Sequence, residues 1–234
     1  MAGSTWRYWR LYITEVQSGT FASIQDFVVS DTAGGASIFT GGTASSSSDY
    51  SATYNAAKAF DGNNENYWYS ATGSLLPQWV KYDVGSSVRG RYLELRPYTV
   101  SWSGSIVADE SSPKTFTLQG SDDNSTWTTL LSMSDINWSA YDKWAVAANQ
   151  IRIPFGWKAA GNSKQSNNDP ATKVFAFKWP NAAFVYDVVT PDPSGNWEIR
   201  AGLVPTDSIG IVHVPPDSGY RPLVDGPITP DAAT

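Results

Sequence analysis

The sequence predicts an all-β protein of two antiparallel β-sandwich domains, and three observations carry that prediction. Aromatic residues make up 14% of the chain, with 11 Trp and 12 Tyr, a composition that suits half-buried strands and exposed stacking faces better than helical bundles. Over residues 7–16, Trp9, Leu11 and Ile13 alternate with Tyr8, Arg10, Tyr12 and Thr14, the period of two that marks a strand with one buried face. No segment sustains a helical period, and the short apolar runs are bounded by Gly, Ser, Asp, Asn or Pro. At 234 residues the chain is long enough for two modest domains, each with its own core.

The elements follow in order. After residues 7–16, strands are expected over 24–30, 79–84, 92–96, 115–119, 127–131 and 150–155, each flanked by turn residues. Residues 33–52, rich in Gly and Ser, read as an internal connection carrying one strand. Residues 158–173 begin KAAGNSKQSNNDPAT, polar, turn-rich and almost free of large apolar side chains, so they read as a linker between domains at 1–157 and 174–234. Beyond them, residues 174–179, 183–190, 196–201 and 209–214 read as four short strands separated by PDPSGN and LVPTDS turns.

Composition also excludes partners. The net charge is −6 without a Lys/Arg-rich run, which argues against a nucleic-acid backbone or an anionic membrane as the main partner and leaves neutral sugars or other proteins. From Val174 onward three Lys/Arg stand against seven Asp/Glu, so most of the acidity lies there. The absence of Cys removes disulfides, thiolate metal sites and Cys nucleophiles together. The opening MAGSTWRYWRLYITEV lacks a basic stretch followed by an apolar one, and no apolar run is long enough for a membrane span. The expectation is no Sec signal and no membrane insertion.

Several ordered blocks carry a resemblance. Ala59-Phe60-Asp61-Gly62-Asn63, then Tyr67-Trp68 and Ser70, then Gln78-Trp79-Val80-Lys81-Tyr82-Asp83-Val84-Gly85 resemble the core of discoidin-type (coagulation-factor type C, galactose-binding-like) domains. The match continues through Pro113-Lys114-Thr115-Phe116-Thr117-Leu118-Gln119-Gly120-Ser121-Asp122-Asp123 and Thr126-Trp127. The family's two closing strands are similar to Tyr8-Trp9-Arg10-Leu11 and Ile24-Gln25-Asp26-Phe27-Val28, which here stand at the front. The first domain thus looks like a circularly permuted discoidin-like jelly roll, a rearrangement that neighbouring sandwich termini make easy. This front arrangement is similar to that of discoidin-type domains in phage tail and tail-fibre proteins.

In the second domain, Phe184-Val185-Tyr186-Asp187, Ser194-Gly195-Asn196-Trp197-Glu198-Ile199 and the stretch from Gly219 to Pro230 resemble a small carboxypeptidase-regulatory, prealbumin-like sandwich. The two resemblances imply a non-catalytic structural component of a bacteriophage tail, baseplate or tail fibre. It would dock other virion proteins and further copies of itself, contact host-surface carbohydrate, and assemble into the virion in the host cytoplasm. The alternative is a carbohydrate-binding module of a secreted or surface protein.

Two readings of the FDGNNEN loop stand side by side. A Gly-permitted turn can aim one carboxylate and several carbonyls at a point, as Ca²⁺ requires, and the resemblance implies calcium with Asp61 as ligand and Asp26 in the place of the family's completing Glu. The other reading is an Asx turn in which Asp61 accepts backbone N–H groups. Trp68, Trp79 and Trp127 lie in the matching blocks and are expected in the core. Trp102, Trp138, Tyr141 and Trp144 lie in turn-rich stretches and are the candidates for a binding rim, against the alternative that they pack on their own domain.

Catalysis finds little support. The one histidine, His213, shares a strand face with Ile209 and Ile211, as a structural residue would. Asp109-Glu110 and Asp122-Asp123 are adjacent in sequence, which sends strand neighbours to opposite faces, and the second pair falls in an expected hairpin turn. No nucleophile elbow, phosphate loop or His-based metal motif is present.

Overall fold

A computed structural model of the chain describes residues 4–73, 75–103, 105–138, 145–147, 149–163, 170–178, 185–199, 209–214, 223–228 and 231–232. The fold is all-β, and its contacts divide into two compact units at residues 153 and 154. In the N-terminal unit the strands are β1 (Ser4–Val16), β2 (Ser23–Ile24), β3 (Asp26–Ser30), β4 (Thr43–Ser46), β5 (Trp68–Tyr69), β6 (Gln78–Gly90), β7 (Tyr92–Arg96), β8 (Thr99–Trp102), β9 (Ser105–Ala108), β10 (Pro113–Ser121), β11 (Thr128–Met133), β12 (Ala145–Ala147) and β13 (Gln150–Pro154). Two single-turn 3-10 helices, Ala52–Tyr54 and Ala56–Ala59, follow β4.

Two main sheets build this unit, five strands in the order β11-β10-β1-β6-β4 and four in the order β12-β13-β7-β3, beside the two-stranded ribbons β2-β5 and β8-β9. β1 is central because its alternate residues are apolar, as a strand with neighbours on both sides and one face on the core requires. Leu11 lies opposite Leu118 of β10 on one side and Val80 of β6 on the other, in antiparallel register. Trp9, Leu11, Ile13, Val80, Phe116 and Leu118 from the larger sheet and Phe27, Val29, Leu93, Leu95, Ile151 and Ile153 from the smaller are all at most 1% exposed. Each such side chain contributes roughly 1.5–3 kcal/mol of burial. Phe27 on β3 and Tyr82 on β6 are bridged by Phe60, with ring centroids 5.4 and 5.0 Å away, so the two sheets share one aromatic core.

The C-terminal unit holds β14 (Trp157–Asn162), β15 (Lys173–Lys178), β16 (Val185–Val189), β17 (Asn196–Ile199), β18 (Ile209–Val214), β19 (Leu223–Ile228) and β20 (Asp231–Ala232). They form a sheet of order β17-β14-β20 and another of order β16-β15-β18-β19. β14 corrects the reading of residues 158–173 as linker: Ala159 to Asn162 pair with Ile199 to Asn196. Its stretch Lys-Ala-Ala-Gly-Asn carries no apolar alternation, and it is held by main-chain pairing together with Asn162 Nδ2, which donates to the Ser194 carbonyl and to Asn196 Oδ1 at 2.8 Å each. Gly161 lies under the Trp197 ring, where a Cβ would stand 2.8 Å from the indole.

Candidate functional site

An aromatic cleft of about 410 Å³ opens on the N-terminal unit, lined by Phe21, Tyr50, Tyr54, Tyr67, Tyr69 and Tyr98, with Thr72 and Asp109 beside them. Strand alternation explains how Tyr67 and Tyr69 reach it. Trp68 between them is fully buried and its indole N–H donates to the Ser48 carbonyl at 3.1 Å, so its two neighbours turn outward. Tyr54 closes a 3-10 turn whose start is capped by Ser51, the Oγ accepting from Thr53 N at 3.2 Å. Tyr50 is held by its N–H to the Tyr69 carbonyl at 2.8 Å, and Asp109 by its N–H to the Tyr98 carbonyl at 2.8 Å. β2 brings Phe21 alongside through the Ser23–Tyr69 pairing.

The rings form walls rather than a plane. Tyr67 stacks on Tyr98 with centroids 3.9 Å apart, while Tyr50 stands at 74° to Tyr69 and Tyr67 at 88° to Tyr69. Tyr50, at 50% exposure, is the outermost. Burial pushes the Tyr67 phenol above its ordinary range, and hydrogen bonds with Tyr54 and Tyr98 add to this. Tyr69 is raised too, by burial first and then by the negative charges of Asp109 and Glu110.

A second, polar cleft of about 320 Å³ lies over β3, β7 and β13, with Asp26, Glu94, Arg96, Gln150 and Arg152 among its lining. Glu94 is saturated: it pairs with Arg152 at 2.9 Å and accepts from Gly34 N at 3.1 Å and Gln150 Nε2 at 3.3 Å. Asp26 is raised to about 6 by burial, against the pull of Arg96, with Asp61 and Glu94 adding repulsion.

The loop at Asp61 is folded as an Asx turn. Oδ1 accepts from Asn63 N at 2.9 Å and Oδ2 from Asn66 Nδ2 at 2.7 Å, with the Lys58 ammonium at 3.7 Å. Gly62 supplies the φ of 65° that the turn requires. The Asn64 carbonyl accepts from Gln25 Nε2 and the Asn64 side-chain oxygen from Arg96 at 3.0 Å. The donors near Asp61 and Asp26 are the hard oxygens calcium takes, but a cation would have to displace these amides and Lys58. Among the described residues no group of three or more His, Cys, Asp or Glu gathers at one point.

Of the residues expected to form a binding rim, one is placed by the structure. Trp138 is 4% exposed and its indole donates to the Pro113 carbonyl at 2.9 Å, so it is a core residue. Trp102 ends β8, in a hairpin with β9, and its side chain lies outside the described residues, as do Tyr141 and Trp144 entirely. Of the three tryptophans expected in the core, only Trp68 is there. Trp79 and Trp127 are half-exposed on the outer face of the larger sheet, where the Lys81 ammonium lies 4.9 Å from the Trp79 centroid and the Arg10 guanidinium 3.9 Å from that of Trp127. The parity of β6 carried the signal: Val80 and Tyr82 point inward, so Trp79 and Lys81 cannot.

The acidic pairs have structural partners. Asp109 Oδ1 accepts from Ser111 N at 2.9 Å and Glu110 Oε2 from Ser18 Oγ at 3.3 Å. Asp123 Oδ1 accepts from Ser125 N at 2.8 Å and Thr126 N at 2.7 Å, which pulls its pKa well below the carboxylate range. His213 Nδ1 is 2.6 Å from Ser163 Oγ, and its ring stands edge-on to Trp197.

Residues 42–156 match the family model of the F5/8 type C domain. The match begins one residue before β4 and ends two past β13, so it takes in every tyrosine of the aromatic cleft and leaves β1 to β3 outside. No curated protein and no solved structure matches the chain at a significant level.

Proposed function

Starting from a discoidin-like domain over residues 42–156, we propose that the chain is a non-catalytic binding module that engages carbohydrate or a protein partner through its tyrosine cleft. The carrying observation is the cleft itself: five tyrosines and Phe21 around about 410 Å³, apolar faces with hydroxyls at their edges, the composition from which concave ligand sites are built.

The finer reading places this module in a bacteriophage tail, baseplate or fibre, docking other virion proteins and copies of itself. Its support is the position of the front strands. β1 and β3 precede the family match in sequence yet pair with β6, β10 and β7, which lie within it, as the permuted arrangement of phage discoidin-type domains implies. Calcium at Asp61, with Asp26 as its second carboxylate, belongs to the same reading and rests on the oxygen-only donors of that loop.

The test is a glycan-array screen and a partner pull-down with the full chain, wild type beside Tyr50→Ala and Tyr98→Ala. The expected outcome is specific retention that both substitutions weaken by tenfold or more. Retention that neither substitution changes would move the function away from the cleft.

A further inference from the structure

We infer that the tyrosine cleft takes a quaternary ammonium group, as in choline. This inference rests on the cleft being the binding site. Three features converge on it. First, ring orientation: a sugar stacks on one aromatic face, whereas a tetrahedral trimethylammonium needs faces on several sides. Tyr50 and Tyr54 meet at 65°, Tyr50 and Tyr69 at 74°, and Tyr67 and Tyr69 at 88°. Rings set at such angles wall the cleft on several sides, and an aromatic wall attracts a cation through its π system.

Second, charge. The lining contains one ionisable acid, Asp109, and no Lys or Arg. Asp109 uses Oδ1 for Ser111 N and Oγ, and no hydrogen bond engages Oδ2 among those described. Glu110 lies next to it, and after burial, the largest cause, both carboxylates add to the upward shift of the Tyr69 phenol. Third, the hydroxyls. Tyr67 packs between Tyr54 and Tyr98 with ring centroids 4.7 and 3.9 Å away, so these phenols crowd one another and leave less room to fix sugar hydroxyls. A quaternary ammonium donates and accepts no hydrogen bond, and loses nothing to such a wall.

The experiment titrates the full chain with choline, with tetramethylammonium and with 3,3-dimethylbutan-1-ol, the uncharged isostere of choline, by calorimetry and by the ring-current shift of the ligand methyl protons. The inference expects both cations to bind with upfield methyl shifts and the isostere to bind at least tenfold more weakly. Tyr50→Leu, which keeps apolar area but removes a π face at an exposed position, should weaken choline roughly 3- to 30-fold. Asp109→Asn, which keeps the acceptor for Ser111, should weaken choline and leave the isostere unchanged. Equal affinity for choline and the isostere would overturn the inference, as would the absence of cation binding at tens of millimolar. If a glycan on the array depends on Tyr50 while choline does not bind, the ammonium inference fails and the cleft stands. If no probe, no glycan and no captured protein responds to Tyr50, both fail. Matching melting temperatures of the variants separate these outcomes from misfolding.

Discussion

Asp83, a residue of the matching blocks, ties the front of the chain to them. Its carboxylate accepts Arg7 Nε and Nη2 at 2.9 Å each and Gly85 N at 2.8 Å, and the Arg7 contact, foremost, holds its pKa below the usual value. Asp26 shows the opposite case. Burial raises it to about 6, above its unfolded value, so the native state binds the extra proton and is penalised once that proton leaves. The penalty is absent below about pH 4 and complete above about pH 6. In calcium-free buffer Asp26→Asn should therefore stabilise the protein at pH 7 by roughly 1–3 kcal/mol, the gain vanishing near pH 4 in a series of denaturant melts; a gain that persists at pH 4 would count against this account. Calcium has its own signature, since an ion held only by the native state raises its melting temperature by mass action. Chelator should lower the wild-type melting temperature and leave Asp61→Ala unmoved, whereas no effect on the wild type makes the loop a plain Asx turn. The Asx turn at Asp61 and Gly62, one of the two readings of that loop, was legible at this scale. The tyrosines were not, because they come from separate segments that only β2–β5 pairing and the β7–β8 connection bring together. The Tyr67-Trp68-Tyr69 triplet held the clue, since a core Trp forces its neighbours outward.

Among the elements, β1 decides whether the N-terminal unit exists. It lies between β10 and β6, so its removal would split the larger sheet and unbury Trp9, Leu11 and Ile13. Deleting the first 30 residues should leave no cooperative transition for this unit in calorimetry; a variant that melts like the parent would show the front strands to be dispensable. A milder test sits on β10, where a Cβ at Gly120 would stand 2.3 Å from the Trp6 ring. Gly120→Ala should cost about 1–3 kcal/mol of stability through displacement of that indole, read from urea midpoints. Strands with apolar alternation were legible: β7 and β18 occupy the expected residues 92–96 and 209–214. β14 and the β8–β9 hairpin were not, since the first, Trp-Lys-Ala-Ala-Gly-Asn, has no alternating apolar residues and the second is interrupted by Ser103 and Gly104. Pairing that rests on main-chain bonds, whether with a distant strand as for β14 or across a short turn as for β8 and β9, leaves no side-chain period to read.

At the scale of the whole molecule, charge and valency constrain how such a module works. A chain with net charge −6 and a pI near 4.7 has little long-range attraction for phosphate backbones or anionic bilayers, so its affinity has to come from short-range contact. One cleft of about 410 Å³ admits a single sugar ring or a small cation, and contacts of that size give weak single-site binding. Strong adhesion then needs copies held together, which the proposed tail, baseplate or fibre would supply and an isolated chain does not. The prediction compares the free chain with the same chain biotinylated at its N-terminus and displayed on tetrameric streptavidin, using a cell or glycan surface that the array identifies. The free chain should bind and leave quickly, and the tetramer should gain about 10²-fold or more in apparent affinity through slower dissociation. Tyr50→Ala should abolish that gain, because avidity multiplies a weak site and cannot replace one. A free chain that already binds tightly, with no gain on display, would instead point to an extended protein–protein interface and shift the search for its partner to the outer face around Trp79, Arg10 and Trp127.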